Sequence, residues 1–206
     1  MIVAGIDEAG RGAAIGPMVV AIFAIEGVRV RELRRIGVRD SKALTRAARE
    51  RIYEQLLRLD ARHAHREVQP SEIDASVRSS GGKGLSALEV EVFRELIEEM
   101  RPDLVYIDSP YRNPKRVLEL LGNLRGVRVV CEVRADARYE VVSAASIIAK
   151  VLRDRSVSSI GAGSGYPSDP RTRKFLKEVA ARGEVNPHVR RSWRSFREAL
   201  TLDDFK

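Results

Sequence analysis

The chain has 206 residues, 44% of them hydrophobic, which suits one domain or one with a small appendage. A formal net charge of +8 and a pI of about 10 favour a polyanionic partner without saying which one. The single Cys131 excludes an internal disulfide and a cysteine-rich metal site. No apolar run reaches membrane-spanning length and no secretion signal opens the chain, so a cytoplasmic protein is expected.

Arginine outnumbers lysine by 30 to 7. Its planar fork suits phosphate recognition, although codon bias in a GC-rich genome explains the same excess. The chain opens on Ile2-Val3-Ala4-Gly5-Ile6, apolar at every position and so expected centrally in a sheet, covered on both faces. Asp7 and Glu8 follow at once. Two adjacent carboxylates at such a strand end need a metal ion, a bound cation or a basic neighbour, and hard divalent ions such as Mg²⁺ prefer oxygen ligands of this kind. The glycines of the next stretch permit close backbone approach to a ligand.

Residues 18–25 form a second apolar strand, joined through Gly16-Pro17 and expected to pair antiparallel with the first. Thr45 reads as the N-cap of a helix to about Leu59, and residues 63–68 as a weak third strand. After Gly81-Gly82-Lys83-Gly84, the stretch Ser86-Ala87-Leu88-Glu89 reads as a capping box opening a helix that ends at Met100 before Pro102. Leu104-Val105-Tyr106-Ile107-Asp108 is another apolar strand ending in an acid. The helix before it permits a crossover, so it can run parallel to the first strand. If the two are neighbours, Asp7 and Asp108 meet near their carboxyl ends, where open α/β sheets place ligands.

A short helix near residues 114–121, a fifth strand over 127–133, Asp136 and a helix over 141–155 come next. Residues 161–165 read as the most flexible stretch. One tail helix starts near Ser168-Asp169-Pro170 and stops at Gly183; the other carries Val189, Trp193, Phe196 and Leu200 on one face. Five strands with interleaved helices argue for an α/β fold with a mixed sheet.

Gly5-Ile6-Asp7-Glu8-Ala9-Gly10-Arg11-Gly12, followed by Ile15-Gly16-Pro17, resembles the opening signature of the ribonuclease HII family. The likeness continues through Asp40-Ser41-Lys42, Leu88-Glu89, Asp108, Ala135-Asp136-Ala137 and the run from Val141 to Lys150. It extends through Arg153-Asp154, Gly163-Ser164-Gly165-Tyr166-Pro167-Ser168-Asp169-Pro170, Val189-Arg190 and Ser192-Trp193, and it looks like the archaeal branch. Ala13 stands where the pattern has proline and Ser86 where it has asparagine; neither is a carboxylate position.

The resemblance implies a ribonuclease H-like five-stranded mixed sheet flanked by helices. It implies a catalytic domain of residues 1–165 with a C-terminal helical extension, residues 166–206, packed on it. The implied activity is a metal-dependent endoribonuclease that hydrolyses the RNA strand of RNA/DNA hybrids and nicks DNA 5′ of embedded ribonucleotides, leaving 5′-phosphate and 3′-hydroxyl ends. Asp7, Glu8, Asp108 and Asp136 would be the catalytic carboxylates, holding two Mg²⁺ or Mn²⁺ ions about 4 Å apart that activate a water and stabilise the leaving oxygen. Gly10, Arg11 and Gly12 would contact the ribose 2′-hydroxyl, the group that separates RNA from DNA. Tyr166 would stack on the deoxyribose beyond it, and Lys42 and Lys150 would meet phosphates.

Each residue also has a plainer reading. Asp7 and Glu8 could pair with arginines, Asp108 could cap the following turn, and Asp136 could serve the next helix as a cap or dipole partner. Tyr166 could be an ordinary tyrosine, and both lysines could be solvated. His63, His65 and His188 show no metal-ligand spacing. Cys131 reads as a buried small hydrophobe and Trp193 as packing. Arg190, Arg191, Arg194 and Arg197 track a duplex backbone or form a solvated face. Two rival functions are a junction resolvase of the same superfamily and a hybrid-binding protein without catalysis. Four clustered acids argue against the second, because repulsive carboxylates facing phosphates give a pure binder nothing. A monomer without membrane contact is expected. Residues 201–206 carry a Leu-Asp-Asp-Phe that offers weak docking to a sliding clamp or simply frays.

Overall fold

The opening apolar run forms β1 (Ile2–Ala9), the middle strand of a five-stranded sheet. β2 (Met18–Glu26), β3 (Arg62–Val68), β4 (Leu104–Asp108) and β5 (Arg128–Glu132) complete it in the order β3-β2-β1-β4-β5. The computed structural model describes residues 1–38, 44–78, 83–183 and 185–201. The sheet is mixed and flanked by helices, as the alternation of strands and helices requires. β4 runs parallel to both β1 and β5, and Ile6 is level with Ile107. The next residue on each strand is an aspartate, so the register alone sets Asp7 beside Asp108.

The helices are α1 (Val30–Arg35), α2 (Arg46–Leu56), α3 (Pro70–Arg78), α4 (Leu85–Met100), α5 (Lys115–Leu121), α6 (Glu140–Ser158), α7 (Pro170–Arg182) and α8 (Arg194–Thr201). Caps explain several boundaries. The Thr45 hydroxyl accepts from the Ala48 N–H at 3.2 Å, and Asp169 accepts from the Arg171 N–H at 2.9 Å. None of the described helices is long and apolar enough to cross a membrane.

Two compact units divide the chain. The first takes Met1–Ala9, Val20–Arg66 and Ser86–Val151; the second takes Gly10–Val19, Glu67–Leu85 and Leu152–Lys206. In the first, α6 starts directly on β1. A Cβ on Gly5 would lie 2.2 Å from backbone atoms of Val141 and Val142, so only glycine permits this approach. Residues 141–149 of α6 are then buried all round. In the second unit, Ile15, Leu176, Val179, Val189 and Phe196 form an apolar cluster, with Trp193 packed against it.

Several local expectations change. α4 begins at Leu85, one residue before Ser86, so Ser86 lies inside the helix and is not its cap. α8 begins at Arg194, leaving Val189 and Trp193 ahead of it. α1 and α3 were not anticipated. α1 buries only Leu33, too little for a periodic signal. α3 did carry its signals: Pro70 opens it, and Glu72 reaches back to the Gln69 N–H at 2.9 Å. Residues 161–165 are pinned where a loose stretch was expected. The Ser164 N–H donates to Asp169, the Gly165 N–H to Thr172, and the Gly165 carbonyl accepts from the Ala14 N–H at 2.8 Å.

Candidate active site

Asp7, Asp108 and Asp136 come together in the first unit, each offering a carboxylate oxygen within 4.8 Å of the others. Asp7 and Asp108 arrive on adjacent parallel strands. Asp136 arrives on a 3₁₀ turn, Ala135–Ala137, between β5 and α6. Asp108 holds that turn itself, because its Oδ1 accepts from the Ala135 N–H at 3.0 Å. Arg134 turns the chain into it at a φ of 60°, in the left-handed region where a non-glycine residue costs roughly 1–2 kcal/mol. Beyond it, the Tyr139 ring stacks on Tyr106 of β4 at 4.0 Å, and its hydroxyl donates to Glu132 at 2.9 Å. Such strain persists only where the surroundings over-determine it.

The electrostatics are repulsive. Asp7 is 4% and Asp136 3% exposed. Burial first, then the charges of Glu8 and Asp108, hold the Asp7 carboxyl well above the usual carboxylate range. A hydrogen bond from Ser146 of α6 opposes this, and Lys150 donates to the same hydroxyl at 3.0 Å, one turn along the helix. Half-buried Glu8 stands beside the trio; its backbone N–H donates to Asp7 Oδ1 at 2.8 Å, and the Glu89 carboxyl lies close enough for its charge to act on it. Burial and then the Glu89 charge raise its pKa. Glu89 is fully buried, so the acid read as a helix cap turns inward to Glu8.

Gly10, Arg11, Gly12 and Tyr166 lie in the second unit. Gly10 is buried and Gly12 exposed, with nothing within 4 Å of where a Cβ on Gly12 would stand. The Arg11 carbonyl accepts from Arg190 Nη1 and the Gly16 carbonyl from Arg190 Nε, both at 3.0 Å. Arg190 is completely buried. Expected on an exposed helix face, tracking a duplex or solvated, it is instead an internal clamp on the glycine loop, and its guanidinium lies 5.1 Å from the Trp193 ring centroid. Burial and the like charge of Arg153 lower its pKa to about 9, leaving it charged at neutral pH. Tyr166 is half-buried, with the Arg153 guanidinium 4.5 Å from its ring centroid.

Lys42, with Asp40 and Ser41, lies outside the described residues. His63, His65 and His188 are exposed, and Arg191, Arg194 and Arg197 remain on the surface. Cys131 is half-buried, and burial pushes its thiol up to about 11.

Ser146, Glu89, Arg153 and Arg190 were not singled out from the sequence as site residues. Two of them had a visible signal. Glu89 shares a helical stripe with Phe93, Leu96 and Met100, and Arg153 shares one with Ser146, Ala149 and Val157. A charged residue on an otherwise apolar stripe is buried with a partner or a task.

The family model described as Ribonuclease HII matches residues 4–196. The chain belongs to the ribonuclease HII family. It is a ribonuclease H endonuclease, and the family acts on RNA/DNA hybrids. The ribonuclease HII of Pyrococcus abyssi is 42% identical over 227 residues, covering 100% of this chain and 97% of the relative. The crystal structure of ribonuclease H2 from Pyrococcus horikoshii superposes with a TM-score of 0.88 at 40% identity, covering both chains completely. The Archaeoglobus fulgidus ribonuclease HII, solved in a complex with PCNA, gives 0.86 at 40% identity and covers 94% of this chain and 96% of its own.

Proposed function

We propose that this ribonuclease HII is divalent-metal-dependent, nicks DNA 5′ of embedded ribonucleotides as well as cutting the RNA of hybrids, and leaves 5′-phosphate and 3′-hydroxyl ends. The observation that carries the reading is the meeting of three carboxylates whose oxygens lie within 4.8 Å. An all-oxygen, anionic donor set suits Mg²⁺ or Mn²⁺, and the raised Asp7 carboxyl is what such a set looks like without a balancing cation. Bound there, two such ions would supply an activated water and positive charge against the cleaved phosphodiester.

In this reading Asp7, Asp108 and Asp136 are ligands, and Glu8, beside buried Glu89, is the fourth. Ser146 orients Asp7, and Lys150 holds Ser146 while offering positive charge to a phosphate. Gly10, Arg11 and Gly12 read the ribose 2′-hydroxyl; the open space at Gly12 supports close approach of a sugar. Tyr166 stacks on the deoxyribose that follows. Lys42 meets a phosphate. The protein works in the cytoplasm as a monomer, and a sliding clamp is its candidate partner, on the strength of the Archaeoglobus complex.

The test is a labelled DNA duplex with one embedded ribonucleotide, incubated with the protein and Mg²⁺, Mn²⁺ or EDTA. We expect a single nick on the 5′ side of the ribonucleotide, absent in EDTA. Asp7→Asn should abolish the nick while retaining duplex binding. Tight binding by the wild type with no nick under either metal, or normal turnover by Asp7→Asn, would overturn the reading.

A further inference from the structure

Arg153 occupies an unusual place. It lies on the buried stripe of α6 and is 2% exposed. Its Nη2 donates to the Ser164 carbonyl at 2.9 Å, and its guanidinium lies 4.5 Å from the Tyr166 ring centroid. The same side chain packs against Gly10. At its φ of +84°, a Cβ on Gly10 would stand 2.3 Å from Arg153 Nε and 2.5 Å from Cδ. Only a glycine can take that backbone and admit the guanidinium. One side chain therefore contacts both the first residue of the glycine loop and the tyrosine. Further along, the Ala14 N–H donates to the Gly165 carbonyl, and Arg190 holds the Arg11 and Gly16 carbonyls, so both loops are anchored around it.

Stability alone is a poor explanation for an arginine here. Its Nε is buried without a hydrogen-bond partner, and its carboxylate contact, Asp154, is 3.8 Å away. A buried cation so incompletely paired is generally less favourable than an apolar side chain of similar volume. What arginine supplies that an aliphatic chain or lysine cannot is a flat, rigid spacer that both stacks and donates.

We propose that Arg153 is a positioning residue that sets the spacing between the Gly10-Arg11-Gly12 loop and the Tyr166 ring, and thereby the preference for an RNA–DNA junction. The inference rests on the reading of that loop and tyrosine given above. Arg153 touches neither substrate nor metal; it acts through Tyr166 and Gly10.

The experiment compares Arg153→Lys, Tyr166→Ala and the double variant with wild type. The probes are a DNA duplex with one embedded ribonucleotide, the same duplex as all DNA, and a long RNA/DNA hybrid. Binding is measured in EDTA and cleavage in Mg²⁺, with the melting temperature of each protein recorded. Arg153→Lys should lose about tenfold or more in nicking at the single ribonucleotide, and much less on the long hybrid, because small misplacements weigh most where one geometry must be met. Its binding preference for the ribonucleotide duplex over all DNA should fall in parallel. In the Tyr166→Ala background, Arg153→Lys should add no more than about twofold, the sign of two residues acting as one unit. Equal losses on both cleavable substrates that follow the melting temperature would overturn the proposal, as would full additivity in the double variant. If Arg153→Lys does not fold, Arg153→Gln, which keeps a flat donor end, carries the same comparisons. A wild type with no junction preference would overturn the reading of the loop and tyrosine together with this inference. A wild type with the preference and an Arg153→Lys that keeps it would overturn the inference alone.

Discussion

The Asp7 carboxyl is buried beside Glu8 and Asp108, with a hydrogen bond from Ser146 as the opposing influence. Its folded pKa is raised, so the folded chain holds the proton more tightly than the unfolded chain, where the group titrates near about 3.9. Below that pH the shift costs nothing. As pH rises through the folded value, ionising Asp7 takes stability away, and above it, without a cation, the whole penalty is present. Asp7→Asn should therefore melt higher than wild type at pH 8 in EDTA, by about 2–4 °C for each kcal/mol relieved. Mn²⁺ should raise the melting temperature of wild type and do far less for the variant, since a ligand stabilises only the state that binds it. Differential scanning fluorimetry decides this without measuring cleavage. A variant that melts lower in EDTA would mean that the Ser146 hydrogen bond outweighs burial and repulsion.

β1 and α6 meet at Gly5 with no room for a methyl group, because the obstructing atoms belong to the backbone of Val141 and Val142. Gly5→Ala should cost about 1–3 kcal/mol or more, read as a lower urea midpoint, since neither element can yield without moving the carboxylates. Gly12→Ala makes the contrast: open space surrounds that position, so its stability should stay within about 0.5 kcal/mol of wild type. α6 also shows why Arg153 went unnoticed. Periodicity marks a stripe as buried, but Arg153 on that stripe reads as a boundary of the apolar face until Gly10 and Tyr166 are seen against it. Glu89 on α4 misled in the same manner, because its spacing from Ser86 imitates a capping box while its side chain faces Glu8.

The net charge of +8 acts over the entire molecule and does not depend on any one contact. Arg191, Arg194 and Arg197 stay exposed and contribute to that field, whereas Arg190 and Arg153 are committed to the interior. Binding to an all-DNA duplex in EDTA should therefore weaken steeply between 50 and 200 mM salt, by about 10³ if some six phosphates are contacted, as counterions are released. A flat dependence, measured by fluorescence anisotropy, would remove the electrostatic argument drawn from composition.

Local chemistry made much of this protein readable in one dimension. An all-apolar run announced the central strand. β4 begins and ends at the expected residues, and Thr45, Asp169 and Gly183 marked helix ends because caps act on their own neighbours. The acids at the strand ends were visible for the same reason, and the family motifs supplied the rest of the candidates. What folding added is non-local. Strand order and register, which make Asp7 and Asp108 neighbours, depend on which strands pair, and pairing is a choice among segments a hundred residues apart. Whether an arginine is solvated or enclosed depends on what packs over it. Arg190 and Arg191 are adjacent in sequence and alike in chemistry, yet one grips the glycine loop from within and the other faces water.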